Sequence, residues 1–270
     1  MKEEATSVNS VSAQRAPPPG EAGFADGKVR DQITDPKTSA LHRYQRVIIG
    51  SDGLSQTLKF EMICWLSSIL PGALGLWARP RLYRRLFKRV GRGTVFGANC
   101  AIRHPGKIEV GDYVVISDGC TLDARGDDNQ GIRIGHSTIV GLRAMIRCKN
   151  ADVVIGRNVG VGANSDVCSV NGSHIIIGDD VMLGPYVFLG GVQYRYDRLD
   201  MPINAQGIVS KGGIVIGEGS ALGAFVTVMD GVKIGKGCMI GAGVVLREDV
   251  PDLTVVMPHQ RLVSLKRQAH

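Results

Sequence analysis

The chain repeats with a period of six. Aliphatic residues stand at Val110, Ile116 and Leu122, then at Ile134, Val140 and Ile146, and at Ile155, Val161 and Val167. The pattern resumes at Ile177, Leu183 and Leu189, and again at Ile216, Leu222, Val228, Ile234, Ile240 and Leu246. An α-helix has 3.6 residues per turn, so a sixfold repeat walks around its axis and keeps no apolar face. Flat strands would add apolar residues at period two. A solenoid of short strands that turns a corner every six residues accommodates the pattern directly. The expected fold class is an all-β solenoid, a parallel β-helix.

Glycine follows the aliphatic residue in Val110-Gly111, Ile134-Gly135, Ile155-Gly156, Ile177-Gly178, Ile216-Gly217, Ile234-Gly235 and Ile240-Gly241. The expectation is that these glycines supply unusual backbone angles at tight corners. Small residues four positions after the aliphatic one, such as Cys120, Ala144 and Cys238, suit a narrow interior. Aromatic residues make up only 5% of the chain, against 36 glycines, which fits a solenoid better than a globular core. The six cysteines, Cys64, Cys100, Cys120, Cys148, Cys168 and Cys238, form no CxxC pair and no compact disulfide framework. They read as packing residues in a reducing compartment, and no metal is expected. The first forty residues hold no apolar segment of the kind a signal peptide needs, so the expected location is cytoplasmic.

Composition divides the chain into a tail over residues 1–40, rich in Ala, Ser, Pro and charge and expected to be disordered, a segment over 41–92, the repeats over 93–250 and a C-terminal tail over 251–270. Within the second region, residues 54–90 are apolar up to Pro71-Gly72 and basic beyond it, with Arg79, Arg81, Arg84, Arg85, Lys88 and Arg89. Neither apolar half approaches the roughly 20 residues that span a bilayer, so two short amphipathic helices are expected. They would serve as a peripheral anchor on the inner membrane face, as a cap on the solenoid's open end, or as both. The net charge of +7 owes much to this segment. Nucleic acid is not an expected partner, because the basic run lacks interleaved aromatics and no binding module accompanies it. No P-loop or dinucleotide fingerprint appears either.

The repeats are interrupted briefly around 123–131, 147–153 and 168–174, and at length over 190–213. Long loops on a rigid scaffold are where function concentrates. This one carries Tyr194, Arg195, Tyr196, Asp197, Arg198, Asp200 and Asn204, a polar and aromatic density the coils lack.

From about Val95 to Leu246 the repeats resemble the left-handed parallel β-helix of the hexapeptide-repeat acyltransferases, in particular the sugar and polysaccharide O-acetyltransferases. PGALGLWARPRLYRRLFKRVG before the coils and RHPGKIEVGDYVVISDGCTLDARG (103–126) resemble bacterial exopolysaccharide members. Asp200-Met201-Pro202-Ile203 with Gln206-Gly207 resembles the family's active-site loop, and GVKIGKGCMIGAGVVLREDVP its last coil. The resemblance implies a homotrimer that binds acetyl-CoA between neighbouring prisms and acetylates a sugar hydroxyl in surface-polysaccharide synthesis. It also implies a loop histidine as general base, which makes the hydroxyl nucleophilic by removing its proton in the transition state.

Here the chain departs from the family. The expected histidine falls at Tyr194, with Val192 beside it, and no histidine lies between His174 and His259. The family's tryptophan after the loop is Ala221, its Thr-Lys pair is Arg247-Glu248, and its Ala-Gly-x-Pro turn reads Met257-Pro258-His259. His174 is one substitute base. Tyr194 with Asp197 or a neighbouring arginine is another, since a phenol of ordinary pKa near 10 needs a cationic neighbour to act as a base. A third alternative is a catalytically degenerate scaffold that binds a sugar, a nucleotide-sugar or a partner enzyme. The resemblance places the cofactor on Gly223, Ala224, Ala242 and Gly243, with Arg247 toward a CoA phosphate. It leaves Arg195, Tyr196, Asp200 and Asn204 for the acceptor.

Overall fold

The computed structural model describes residues 38–190 and 192–258. The expected N-terminal tail up to residue 37 and the C-terminal tail from 259 lie outside them. The described chain is a parallel solenoid with a helical cap. Each coil contributes one short strand to each of three sheets, of seven, eight and seven strands. The first sheet runs in coil order from Arg89–Val90 to Lys233–Ile234, the second from Val95–Phe96 to Val255–Val256, the third from Ala101–Arg103 to Val245–Leu246.

The register stacks like on like: Ile134, Ile155, Ile177 and Ile216 follow one another up the first sheet, and Val140, Val161, Leu183 and Leu222 up the second. Every aliphatic position of the sixfold repeat faces inward and is buried in one continuous core. Burying such a side chain contributes about 1.5–3 kcal/mol, which is why the repeat fixes the register. Among the cysteines Cys120, Cys148 and Cys238 are buried, and all six are free. Burial pushes the Cys120 thiol up to about 11 and that of Cys148 to about 12, so both behave as apolar filling.

The repeat glycines have a different reason from the one expected. Gly111, Gly135, Gly156, Gly178, Gly217, Gly235 and Gly241 are absent from the left-handed backbone region. What excludes a side chain is the next coil. A Cβ on Gly135 would lie 2.4 Å from the Gly156 carbonyl oxygen, and one on Gly217 would lie 2.5 Å from the backbone of Gly235. The left-handed residue comes two positions later and is often not glycine: Tyr113, Ser137, Asn158 and Asp180 hold that place.

The first coil is closed by a helical hairpin. Helix α1 (Ala40–Tyr44) runs into a wider turn at Gln45–Ile49, followed by α2 (Leu54–Ile69) and α3 (Gly72–Tyr83). Ile63 of α2 with Ala78, Leu82, Tyr83 and Phe87 joins the solenoid core, and Tyr83, Phe87 and Phe96 pack as an aromatic cluster. The hairpin thus covers the apolar end that an open solenoid would expose. Its latch is Arg79, only 3% exposed. The guanidinium donates to the carbonyls of Ser67 (3.0 Å) and Leu70 (2.7 Å), which the end of α2 leaves unpaired, and to that of Phe96 (3.2 Å) in the first coil. A second stitch is His104, whose backbone N–H donates to Ile48 O and whose Nε2 lies 2.8 Å from Arg46 O.

Arg79→Ala would leave those carbonyls buried without donors. The expected cost is about 3 kcal/mol, read as a lowered midpoint in urea unfolding. An unchanged midpoint would show that the apolar packing alone holds the hairpin.

Candidate functional site

The three edges of the prism are not alike. Two are built the same way in coil after coil, with a left-handed residue whose N–H donates to the coil before, as Asn158 does to His136 O (2.8 Å) and Tyr186 to Ala163 O (2.9 Å). At the third edge, where the third sheet passes to the first sheet of the next coil, the chain departs from the repeat. Residues 104–107, 126–131, 150–152, 171–174 and the long loop all leave here. Scattered in sequence, the excursions share one side of the molecule.

Below the long loop, a groove on this side is lined by Glu109, Gln130, Arg133, Asp152 and His174, with the outward-facing Val154 and Ile176 of the first sheet. Asp152 Oδ1 accepts the backbone N–H groups of Gln130 (2.7 Å) and Gly131 (2.8 Å). Burial works against ionisation of this carboxyl, but His174 and those two N–H groups outweigh it and hold its pKa below the usual range. His174 Nδ1 lies 3.1 Å from the Asp152 N–H and 3.4 Å from Asp152 Oδ2. The two contacts suit opposite tautomers: the amide suits a bare Nδ1, the carboxylate a protonated one. Protonating the ring favours the second, since opposite charges then face each other. Nε2 has no partner among the described residues.

Because the Asp152 pKa is depressed on folding, its contribution is present above the ordinary carboxyl range, near pH 4, and is lost as pH falls through the folded value. Asp152→Asn should therefore flatten the acid limb of a melting-temperature profile below about pH 5. An unaltered limb would contradict this.

The long loop is a hairpin arm. Gln193–Tyr194 pairs antiparallel with Ile208–Val209, and Arg195 N–H donates to Gly207 O (3.0 Å). Farther out, Gln206 holds the tip through Arg198 N–H (3.0 Å), Arg198 O (2.7 Å) and Met201 O (3.1 Å). The foot is gathered by Asp230, 6% exposed. Its carboxylate accepts Gly213 N–H (2.9 Å), Lys211 N–H and the hydroxyls of Ser210 and Ser173. The return of the loop lies directly on His174, with Ile214 N–H donating to His174 O (2.8 Å) and no space for a Cβ on Gly213.

Asp230→Ala would strand those donors. The expected loss is about 2–3 kcal/mol, with faster amide exchange over 193–213 than in the coils; exchange that stays slow there would remove Asp230 as the anchor.

The residues expected from sequence separate into two groups. Tyr194, Arg195, Tyr196, Asp197, Asp200 and Asn204 lie on the exposed arm, and His174 lies under its foot. The Tyr194 hydroxyl has no partner among the described residues. Arg198, a cation that could have supported Tyr194, pairs with Asp200 instead. The expected cofactor positions are elsewhere. Gly223 and Ala224 stack beneath Ala242 and Gly243 at the edge between the second and third sheets, with Gly243 N–H donating to Ala224 O (2.9 Å). The strand Thr227–Met229 separates that edge from the loop's edge, so one chain does not bring the two groups together. Gly223 is small because a Cβ there would meet Ala242 N at 2.6 Å, a packing reason independent of any ligand. Arg247 is exposed near the last coil. Asp152, Asp230 and the groove residues Glu109, Gln130 and Arg133 escaped the sequence reading. Their only signal was that each stands at or beside an interruption, or one coil away from it.

Two stretches match family models. Residues 213–248 match the bacterial transferase hexapeptide (six repeats), and residues 89–124 match the hexapeptide repeat of succinyl-transferase. A probable acetyltransferase of Mycobacterium tuberculosis is 27% identical over 71% of this chain and 54% of its own length. The chain therefore spans about half the length of the curated relative it matches. Among solved structures, the polySia-specific acetyltransferase NeuO is 23% identical, covering 63% of this chain and 81% of its own, with a TM-score of 0.44. A maltose O-acetyltransferase from Clostridium difficile is 21% identical over 77% of this chain and 84% of its own, with a TM-score of 0.35. A variant of AntD, an N-acyltransferase from Bacillus cereus, is 18% identical over 69% and 89%, with a TM-score of 0.46.

Proposed function

We propose, for a chain that belongs to the hexapeptide-repeat acyltransferases, that it moves an acetyl group from acetyl-CoA to a sugar hydroxyl in surface-polysaccharide synthesis. The observation that carries the reading is the convergence, on one edge of the prism, of the polar hairpin arm, the groove and His174. The similarity to a probable acetyltransferase supports the acyl donor.

The geometry favours His174 over Tyr194 as the base. An acceptor hydroxyl attacks the thioester carbonyl carbon, the C–S bond breaks, and the hydroxyl proton must go to a group that can hold it near neutral pH. This role requires the His174 tautomer with the proton on Nδ1 toward Asp152 Oδ2, which leaves Nε2 as the free nitrogen, and the Asp152 carboxylate then stabilises the imidazolium that results. Tyr194 stands on the exposed arm, its hydroxyl without a partner among the described residues and Arg198 engaged by Asp200, which argues against it. The departing CoA thiolate then takes up a proton as the product leaves.

Association into a homotrimer completes the site in this reading. The outer face of the second sheet is apolar along most of its length, with Val115, Ile139, Met182, Met239 and Val255 exposed. At the adjacent edge Tyr186 and Phe225 stack 4.8 Å apart, half-exposed, in left-handed backbone that bulky residues rarely adopt. A neighbouring prism against this face would cover the apolar column. It would also bring the small residues at Gly223 and Ala242 within reach of another subunit's arm.

His174→Asn is expected to lower kcat by roughly 10²–10⁴-fold while acetyl-CoA binding, followed by calorimetry, persists. Tyr194→Phe should change kcat no more than a few-fold. The reverse ranking would move the base to the arm, and a folded trimer that fails to bind acetyl-CoA would leave the scaffold alternative in its place.

A further inference from the structure

We propose that the outward face of the helical hairpin docks on an anionic lipid surface, a role separate from acyl transfer. The hairpin is apolar on both sides. Its inner rows, including Ile63, Ala78 and Leu82, are consumed in capping the solenoid. Its outer row on α2 is Leu54, Leu58, Met62, Trp65 and Ile69, spaced four, four, three and four residues apart, as one helical face requires. All five are at least half exposed, as are Leu74 and Trp77 on α3. A helix that served only as a cap would need the first row and would carry polar residues on the second.

Charge identifies the occupant. Residues 54–90 contain seven lysines and arginines against one acid, Glu61. Arg79 is buried in the latch, and Glu61 is engaged by the Tyr44 hydroxyl. The outer row of α3 passes from Leu74 and Trp77 to Arg81, whose guanidinium lies 4.1 Å over the Trp77 ring, and the exposed Arg85 follows in the turn just past the helix. Apolar side chains followed by tryptophan and then cations is the order in which a bilayer presents acyl chain, interface and acidic headgroup. A second copy of this chain offered to the same face would set its positive charges against like charges. No described helix is long and apolar enough to cross a membrane, so the contact is in the plane of the surface.

Trp65 and Trp77 are the two tryptophans of the chain, so intrinsic fluorescence reports this face directly. Full-length protein mixed with phosphatidylcholine–phosphatidylglycerol vesicles should show a blue-shifted emission and co-sediment with the lipid. Both effects should be weaker on phosphatidylcholine alone and should fall with salt. Arg81→Gln with Arg85→Gln should weaken partitioning about 25-fold with the melting temperature retained, and Leu58→Ser with Met62→Ser should abolish the shift. An emission that ignores anionic vesicles at low salt would overturn the proposal. So would a blue shift that depends on protein concentration without lipid, which would assign the face to a second copy.

Discussion

Each coil of this solenoid must lie within hydrogen-bonding distance of the next, under 5 Å away, along three sheets at once. That spacing leaves no room for side chains where backbone passes over backbone at the corners. It is the reason Gly111, Gly135, Gly156 and Gly178 follow one another up one edge. It also makes the inward aliphatic residues stack in register, because a coil that slips by one residue turns its core outward. Rigidity and apolar burial are consequences of one repeat distance.

Irregular loops need freedom that such a lattice denies, and among the described residues the chain finds it on a single edge. Two edges repeat the same hydrogen bond coil after coil, so an insertion there would break a ladder. The third carries every described excursion, and each is tied back by a local device. Lys107 holds the excursion at 126–131 through Gly126 O (2.5 Å) and Asn129 Oδ1 (2.9 Å), Asp152 holds its end through the Gln130 and Gly131 N–H groups, and Asp230 holds the foot of the arm. Fixed feet under a projecting arm place the groove and His174 beneath polar residues that stay exposed. The apolar second-sheet face lies away from that edge.

The hairpin cap follows from the same constraint at the solenoid's first end, where the opening coil has no predecessor to cover it. Phe96 and its neighbours are covered by α2 and α3, and Arg79 satisfies the carbonyls that a helix terminus and an unpaired coil both leave free. The unused outer face, with its two tryptophans and its cations, is a property of the same two helices seen from the other side.

The period of six in the aliphatic residues determined the solenoid, its inward positions and the long loop as a departure from it, because burial is set by residue type and spacing alone. The break at Pro71-Gly72 likewise gave two short helices. The purpose of the repeat glycines was not legible, since close approach between Gly135 and Gly156 depends on which coil lies next, not on local sequence. Nor was the pairing of Asp152 with His174, 22 residues apart, or the gathering of Ser173, Ser210, Lys211 and Gly213 on Asp230. Those contacts join different coils across one edge. Only the stacked structure brings such residues together, because a solenoid turns sequence neighbours along the chain into spatial neighbours one coil apart.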